Sequence, residues 1–136
     1  MPRRPKSIVL DTWAVMAYLR DEPAGEQLET LIAESHEHGT ALMMSVVNVA
    51  EVWYAFARLA SDKVADRAVL ELKQLGIEFI DAHLDLALEA ARFKAKHKMS
   101  LADCFAAALA KERKADLVTG DQEFRQVESE IKVLWV

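Results

Sequence analysis

Apolar and polar positions along this chain fall into short runs that switch between a strand-like and a helix-like period. Ser7-Ile8-Val9-Leu10 is a β-branched run that stops at Asp11-Thr12, the pattern of a buried strand turning into a helix. Trp13 to Leu19 continues as a short helix, and Asp21-Glu22-Pro23 interrupts it. Pro23 suits the first turn of the next helix, in which Leu28, Leu31 and Ile32 share a face and Gly39 closes the C-terminal end. Ala41 to Ser45 is apolar and short enough for a strand, and Val46 to Ala60 reads as a helix. Ser61-Asp62 caps a further helix whose Val64, Ala68, Leu72 and Leu75 keep helical spacing up to Gly76.

Ile77 to Ile80 follows as a strand. Leu84, Ala87, Leu88, Ala91 and Ala95 then lay out an amphipathic stripe, with Arg92, Lys94, Lys96 and Lys98 decorating its end. Ser100 caps a helix from Leu101 to about Lys114. Its middle, Cys104 to Ala110, is apolar on every face and so marks a buried helix against a sheet. Leu117 to Asp121 is a strand ending in an acid, and Ile131 to Val136 is a last strand. Strands alternating with helices predict an α/β fold: three layers, α/β/α, around a mainly parallel sheet of about five strands. The length suits one domain over residues 1–136.

Composition narrows the class. Hydrophobic residues at 52% and charged residues at 29% exclude a disordered chain. The single cysteine, Cys104, can form no internal disulfide and supports no Cys-built zinc site, which fits a reducing compartment. The longest stretch free of Asp, Glu, Lys and Arg is His38 to Ala50, 13 residues, against the roughly 20 that a membrane span requires. Met1-Pro2-Arg3-Arg4-Pro5-Lys6 is basic, but only Ile8-Val9-Leu10 follows before Asp11, so no signal peptide is expected. The expected location is the cytoplasm, with no membrane partner. A net charge of −5 argues against strong general attraction to nucleic acid. It leaves room for an enzyme whose local field is reversed by a bound metal.

The candidate chemistry sits in acids at strand and helix ends. Asp11 and Asp121 follow two strands on their carboxyl edge, where open parallel sheets bind ligands. Asp103 stands in the first turn of the apolar helix, and Glu51 near the start of a helix that follows a strand, so both can reach the same rim. Four carboxylates without a basic partner nearby repel, and burying them costs several kcal/mol unless a cation compensates. All-oxygen ligands point to Mg²⁺ or Mn²⁺, and such an ion can neutralise phosphoryl charge and supply a hydroxide.

Three of the acids also have a structural reading. Asp103, three after Ser100, approaches a capping box; Asp11 can cap the first helix; Asp121 can open a turn. Glu51 stands among Val49, Ala50, Val52 and Trp53, which offer it no structural role. Asn48, one turn before Glu51, can bond a ligand or a neighbouring side chain. The chain lacks G-x-x-x-x-G-K-[ST], G-x-G-x-x-G and G-x-S-x-G, so no nucleotide cofactor is expected.

Four segments in order, Ile8-Val9-Leu10-Asp11-Thr12, Ser45-x-x-Asn48-x-x-Glu51, Ala102-Asp103-x-x-Ala106-Ala107 and Val118-Thr119-Gly120-Asp121-x-x-Phe124, resemble PIN domains. In size and order they are similar to the VapC-type toxins of toxin–antitoxin pairs. The resemblance covers nearly the whole chain. It implies a Mg²⁺- or Mn²⁺-dependent endoribonuclease in which Asp11 and Asp103 hold the metal most directly and Glu51 and Asp121 complete the shell. Thr119 would support the acids by hydrogen bonding, with Thr12 and Asn48 beside them. It further implies a structured RNA substrate of the tRNA or rRNA class, a homodimer, and silencing by a cognate antitoxin. Trp13 departs from the pattern, standing where the family often has a small residue.

Other classes fit less well. A phosphotransfer receiver would pair acids after the first strand, and a haloacid-dehalogenase-like phosphatase would place an Asp two residues after Asp11; here Thr12 and Trp13 follow. A non-catalytic PIN-like module binding RNA or protein is a second alternative, and it would favour loss of one of the four acids. A purely structural α/β domain is a third, whose stability added metal should leave unchanged.

Overall fold

The structure is a computed structural model that describes residues 4–136; Met1 to Arg3, where the basic N-terminal stretch begins, lie outside the described residues. The elements are β1 (Ser7–Leu10), α1 (Thr12–Leu19), α2 (Gly25–His38), β2 (Ala41–Ser45), α3 (Val46–Leu59) and α4 (Asp62–Gln74), followed by β3 (Ile77–Ile80), α5 (Leu84–Lys96), α6 (Leu101–Arg113), β4 (Asp116–Thr119), a 3₁₀ segment (Gln122–Val127) and β5 (Val133–Trp135). The five strands form one sheet in the order β3-β2-β1-β4-β5, and every neighbouring pair is parallel. This is the expected α/β sheet, buried on both sides as parallel sheets are.

Side chains that alternate along the strands feed two cores. Ile8, Leu10, Leu42, Met44, Ile77 and Val118 pack with α1, α2 and α4 on one side. Val9, Met43, Ile80 and Leu117 pack with α5 and α6 on the other. Cys104 to Ala110 of α6 are all buried, as an all-round apolar helix requires. The small alanines there let the helix backbone approach the sheet closely.

Two local expectations needed correction. Pro23 precedes α2 instead of lying in its first turn. Asp21 first adopts a left-handed conformation (φ 55°), and the Glu22 N–H bonds back to the Ala17 carbonyl at 2.9 Å, so the chain completes a tight link before helix starts at Gly25. The inward stripe of α5 is Leu86, Ala90 and Phe93, while Leu84 and Leu88 are 72% and 46% exposed. Apolar residues occupy two faces of this helix, and Phe93, the largest of them, fixes which face turns inward.

Strand order places the functional edge. From β1 the chain moves outward to β2 and β3, then returns past β1 to β4 and moves outward the other way to β5. The connections therefore diverge between the carboxyl ends of β1 and β4, the crevice where doubly wound sheets bind ligands. Asp11 follows β1 and Thr119 ends β4 at this point.

Candidate active site

Asp11 is the floor of the crevice. It is the N-cap of α1, fully buried, and its Oδ1 accepts from the Ala14 N–H at 2.8 Å. Its Oδ2 accepts from the Thr119 hydroxyl at 2.5 Å across the β1–β4 seam. The capping role and the site role thus fall on the same carboxylate. Burial pushes the Asp11 carboxyl up to about 8 from its ordinary 3.8; the two hydrogen bonds oppose this, and the charges of Asp103 and Asp121 add to it.

Thr119 also organises the neighbouring acid. Its Oγ1 accepts from the Asp121 N–H at 3.0 Å, and Asp121 in turn caps the 3₁₀ segment by accepting from the Glu123 N–H at 3.0 Å. Asp103 comes from the first turn of α6, whose N-cap Ser100 accepts the Asp103 N–H at 3.1 Å. Only 9% of Asp103 is exposed. Burial first, then the charges of Asp121, Glu51 and Glu123, push its carboxyl up to about 7, opposed in part by the Ser100 hydroxyl.

One carboxylate oxygen from each of Asp103, Asp121 and Glu123 lies within 4.8 Å of the others. The sequence reading included the first two and missed Glu123. Its signal was the spacing Asp121-x-Glu123, which a 3₁₀ turn converts into two carboxylates on one side; an isolated strand-end reading does not anticipate that turn. Asp11 lies deeper than this trio, with each oxygen already hydrogen-bonded, and Glu51 flanks it. The Glu51 Oε2 accepts from the Tyr54 hydroxyl at 3.4 Å, and the Arg58 guanidinium lies 4.9 Å from the Tyr54 ring centre.

Asn48 joins the elements that carry three of these acids. It is fully buried, and its Nδ2 donates to Thr12 Oγ1 at 3.1 Å and to the Ala102 carbonyl at 3.2 Å. Thr12 is adjacent to Asp11, Ala102 is adjacent to Asp103, and Asn48 itself lies one turn before Glu51. Its Oδ1 is buried with no hydrogen-bond partner among the described residues.

Among the described residues, no Lys, Arg or His forms an ion pair with Asp11, Glu51, Asp103, Asp121 or Glu123. Carboxylates this close, with Asp11 and Asp103 nearly out of solvent, favour protonation or a shared cation. The donor set is all oxygen and partly open to solvent, which fits a hard divalent ion that keeps some of its waters. Asp103, Asp121 and Glu123 are placed to hold such an ion.

The Thr119 hydroxyl can be tested directly. Thr119→Val keeps the shape but removes the donor to Asp11 and the acceptor for the Asp121 N–H. Urea denaturation at pH 9, where Asp11 is ionised, should show a loss of about 1.5–3 kcal/mol. Thr119→Ser should recover most of it. Equal stability of the wild type and the Val variant would remove Thr119 from the support of the site.

Fold and site together define an α/β protein with a carboxylate centre at the sheet's switch point. The PIN domain family model matches residues 8–130, and the chain belongs to the PIN domain family. A comparison with curated protein sequences finds no match. Solved structures share the fold at low identity. The Mycobacterium tuberculosis toxin VapC20, described as cleaving the sarcin–ricin loop, is 18% identical with a TM-score of 0.72, covering 88% of this chain and 94% of that one. DNA-bound VapBC from Salmonella typhimurium is 15% identical with a TM-score of 0.74, covering 95% of this chain and 97% of that one. FitAcB from Neisseria gonorrhoeae is 23% identical with a TM-score of 0.67, covering 93% and 96%.

Proposed function

We propose that this chain, acting as one PIN-like domain over residues 1–136, is a Mg²⁺- or Mn²⁺-dependent endoribonuclease and the toxin of a toxin–antitoxin pair. The observation that carries the reading is the convergence of Asp11, Glu51, Asp103, Asp121 and Glu123 at the switch point without a cationic partner. Such a centre stores repulsion that a divalent ion would relieve. Bound there, the ion would neutralise charge on a phosphodiester and lower the pKa of a water.

The chain's own residues have separable roles in this proposal. Asp103, Asp121 and Glu123 hold the ion, and Asp11 supplies negative charge from below. Glu51, on the flank beside Tyr54, accepts a proton from the attacking water. Thr119 fixes Asp11 and the Asp121 backbone, while Asn48 and Thr12 keep α1, α3 and α6 in register. A cytoplasmic RNA of the tRNA or rRNA class is the proposed substrate; the VapC20 relative is described as cutting the sarcin–ricin loop. A cognate antitoxin is the proposed inhibitor, since several relatives were solved as VapBC complexes.

Purified protein incubated with total cellular RNA and millimolar Mg²⁺ or Mn²⁺ should yield discrete fragments. Excess EDTA should stop their formation, and added metal should restore it. Cleavage that persists in EDTA would sink the metal-dependent reading.

A homodimer is also part of the proposal. It is supported by the outward stripe of α5, where Leu84 and Leu88 are exposed at 72% and 46%. Leu88→Glu should shift sedimentation from dimer to monomer at micromolar concentration. A monomeric wild type would remove the dimer.

A further inference from the structure

We infer that Trp13 is a stacking platform for a nucleobase next to the scissile phosphate, an inference that rests on the nuclease reading above. Trp13 lies in the first turn of α1, two residues after Asp11, and 37% of it is exposed. Its six-membered ring lies against Gly120, the residue before Asp121. A Cβ at position 120 would overlap Cη2, Cζ3 and Cζ2 of the indole together, at closely similar distances. An edge-on approach would bring one ring atom much closer than its two neighbours, so the ring meets Gly120 on its face. Any larger residue at position 120 would push the ring off this seat.

The indole thus reaches from the first turn of α1, beside Asp11, to the residue before Asp121. One face of its six-membered ring rests on backbone, and the side chain as a whole is partly open to solvent. An aromatic ring held in this way loses little freedom when a flat partner settles on it. Because this ring adjoins the residue before Asp121 and stands two residues from Asp11, a nucleotide whose phosphate reaches these acids would have its base beside it.

Charge favours the same conclusion. The chain carries a net charge of −5, so general attraction to the RNA backbone contributes little affinity. Stacking on an aromatic face is insensitive to that deficit and tolerant of base identity. An acidic peptide would gain nothing comparable against the same carboxylates.

The test compares two fluorescein-labelled RNA dodecamers, one with bases throughout and one with abasic residues at the central positions, by anisotropy. Ca²⁺ replaces Mg²⁺ to limit turnover. Wild type should bind the complete strand about 5- to 150-fold more tightly than the abasic one. Trp13→Phe should keep most of that ratio, and Trp13→Leu, which stays apolar but lacks a π face, should bring it close to one. As a second readout, Trp53→Phe/Trp135→Phe leaves Trp13 as the sole tryptophan, and its fluorescence should be quenched by the complete strand alone. A ratio unchanged in Trp13→Leu, or RNA binding that leaves Trp13 fluorescence untouched, overturns the platform. If total RNA is still cut in a metal-dependent way, the nuclease reading survives that result; if RNA is neither bound nor cut, both fall together.

Discussion

Asp103→Asn is expected to lower RNA cleavage by about a hundred- to a thousandfold, the scale of removing one electrostatic contributor from an active site. The same substitution is expected to raise the melting temperature of the metal-free protein at pH 8. The two effects share one cause. Asp103 is the nearly buried member of the close trio, and its carboxyl is pushed up to about 7 by burial and by Asp121, Glu51 and Glu123. At pH 8 it is mostly ionised in the folded protein, at a cost of a few kcal/mol relative to the unfolded chain. The amide removes that cost and removes the ion-holding charge with it. The helix is preserved, because Ser100 caps α6 through the Asp103 backbone N–H, which the substitution leaves in place. A gel assay on total RNA and a thermal melt in EDTA read the two arms. Undiminished cleavage would overturn the proposed centre. Lost cleavage together with a lower melting temperature would return Asp103 to a purely structural role at the helix terminus.

That pairing of lost activity with gained stability reflects which features are written locally in the chain. All five strands and six helices were legible in the sequence, because the buried strands are short apolar runs and caps such as Ser61 and Ser100 act on their own helices. Four acids of the candidate site were singled out for a related reason: each follows a strand or stands in the first two turns of a helix, at a position that a parallel sheet carries to one edge. The convergence itself depends on strand order. Only the return from β3 past β1 to β4 sets Thr119 against Asp11, and no local pattern states that a residue 108 positions away completes the Asp11 hydrogen bonds. Glu123 escaped because its place depends on a 3₁₀ turn capped by Asp121. The α5 stripe was misread because apolar residues line two faces, and the choice between them is made by packing on α6. The seat of the Trp13 ring on Gly120 joins positions 107 residues apart, and no local pattern states it either.

Metal-free protein is expected to lose stability steadily as pH rises from about 4 to about 8, and divalent metal is expected to cancel most of that loss at the alkaline end. The Asp11 carboxyl titrates near 3.8 in an unfolded chain but near 8 in the fold, chiefly through burial. Between those values the folded state holds a proton that the unfolded state has released. Stability therefore falls with rising pH across that window; it is undiminished below the unfolded value and fully lost above the folded one. Asp103, displaced upward to about 7, contributes in the same direction. A divalent ion competes with these protons, so its stabilisation should be small at pH 5 and large at pH 8. At a hundred times its dissociation constant it should contribute about 2.7 kcal/mol. Thermal melts of wild type and Asp11→Asn, with EDTA or with Mg²⁺ and Mn²⁺, separate these terms, because subtracting one protein from the other removes every titration they share. Asp11→Asn keeps one local bond and reverses the other: the amide oxygen accepts from the Ala14 N–H, and the amide nitrogen donates to Thr119 Oγ1, which in the wild type is the donor. Its metal-free melting temperature should therefore exceed that of wild type at pH 8, converge with it near pH 4, and respond less to metal. Metal-free stability that climbs from pH 5 to pH 8, or a metal shift equal at both pH values, would remove the buried carboxylates as the source of the coupling. The proposed nuclease would then lose the physical reason for its cation, since relief of repulsion between Asp11, Asp103 and their neighbours is what a cation gains by binding there.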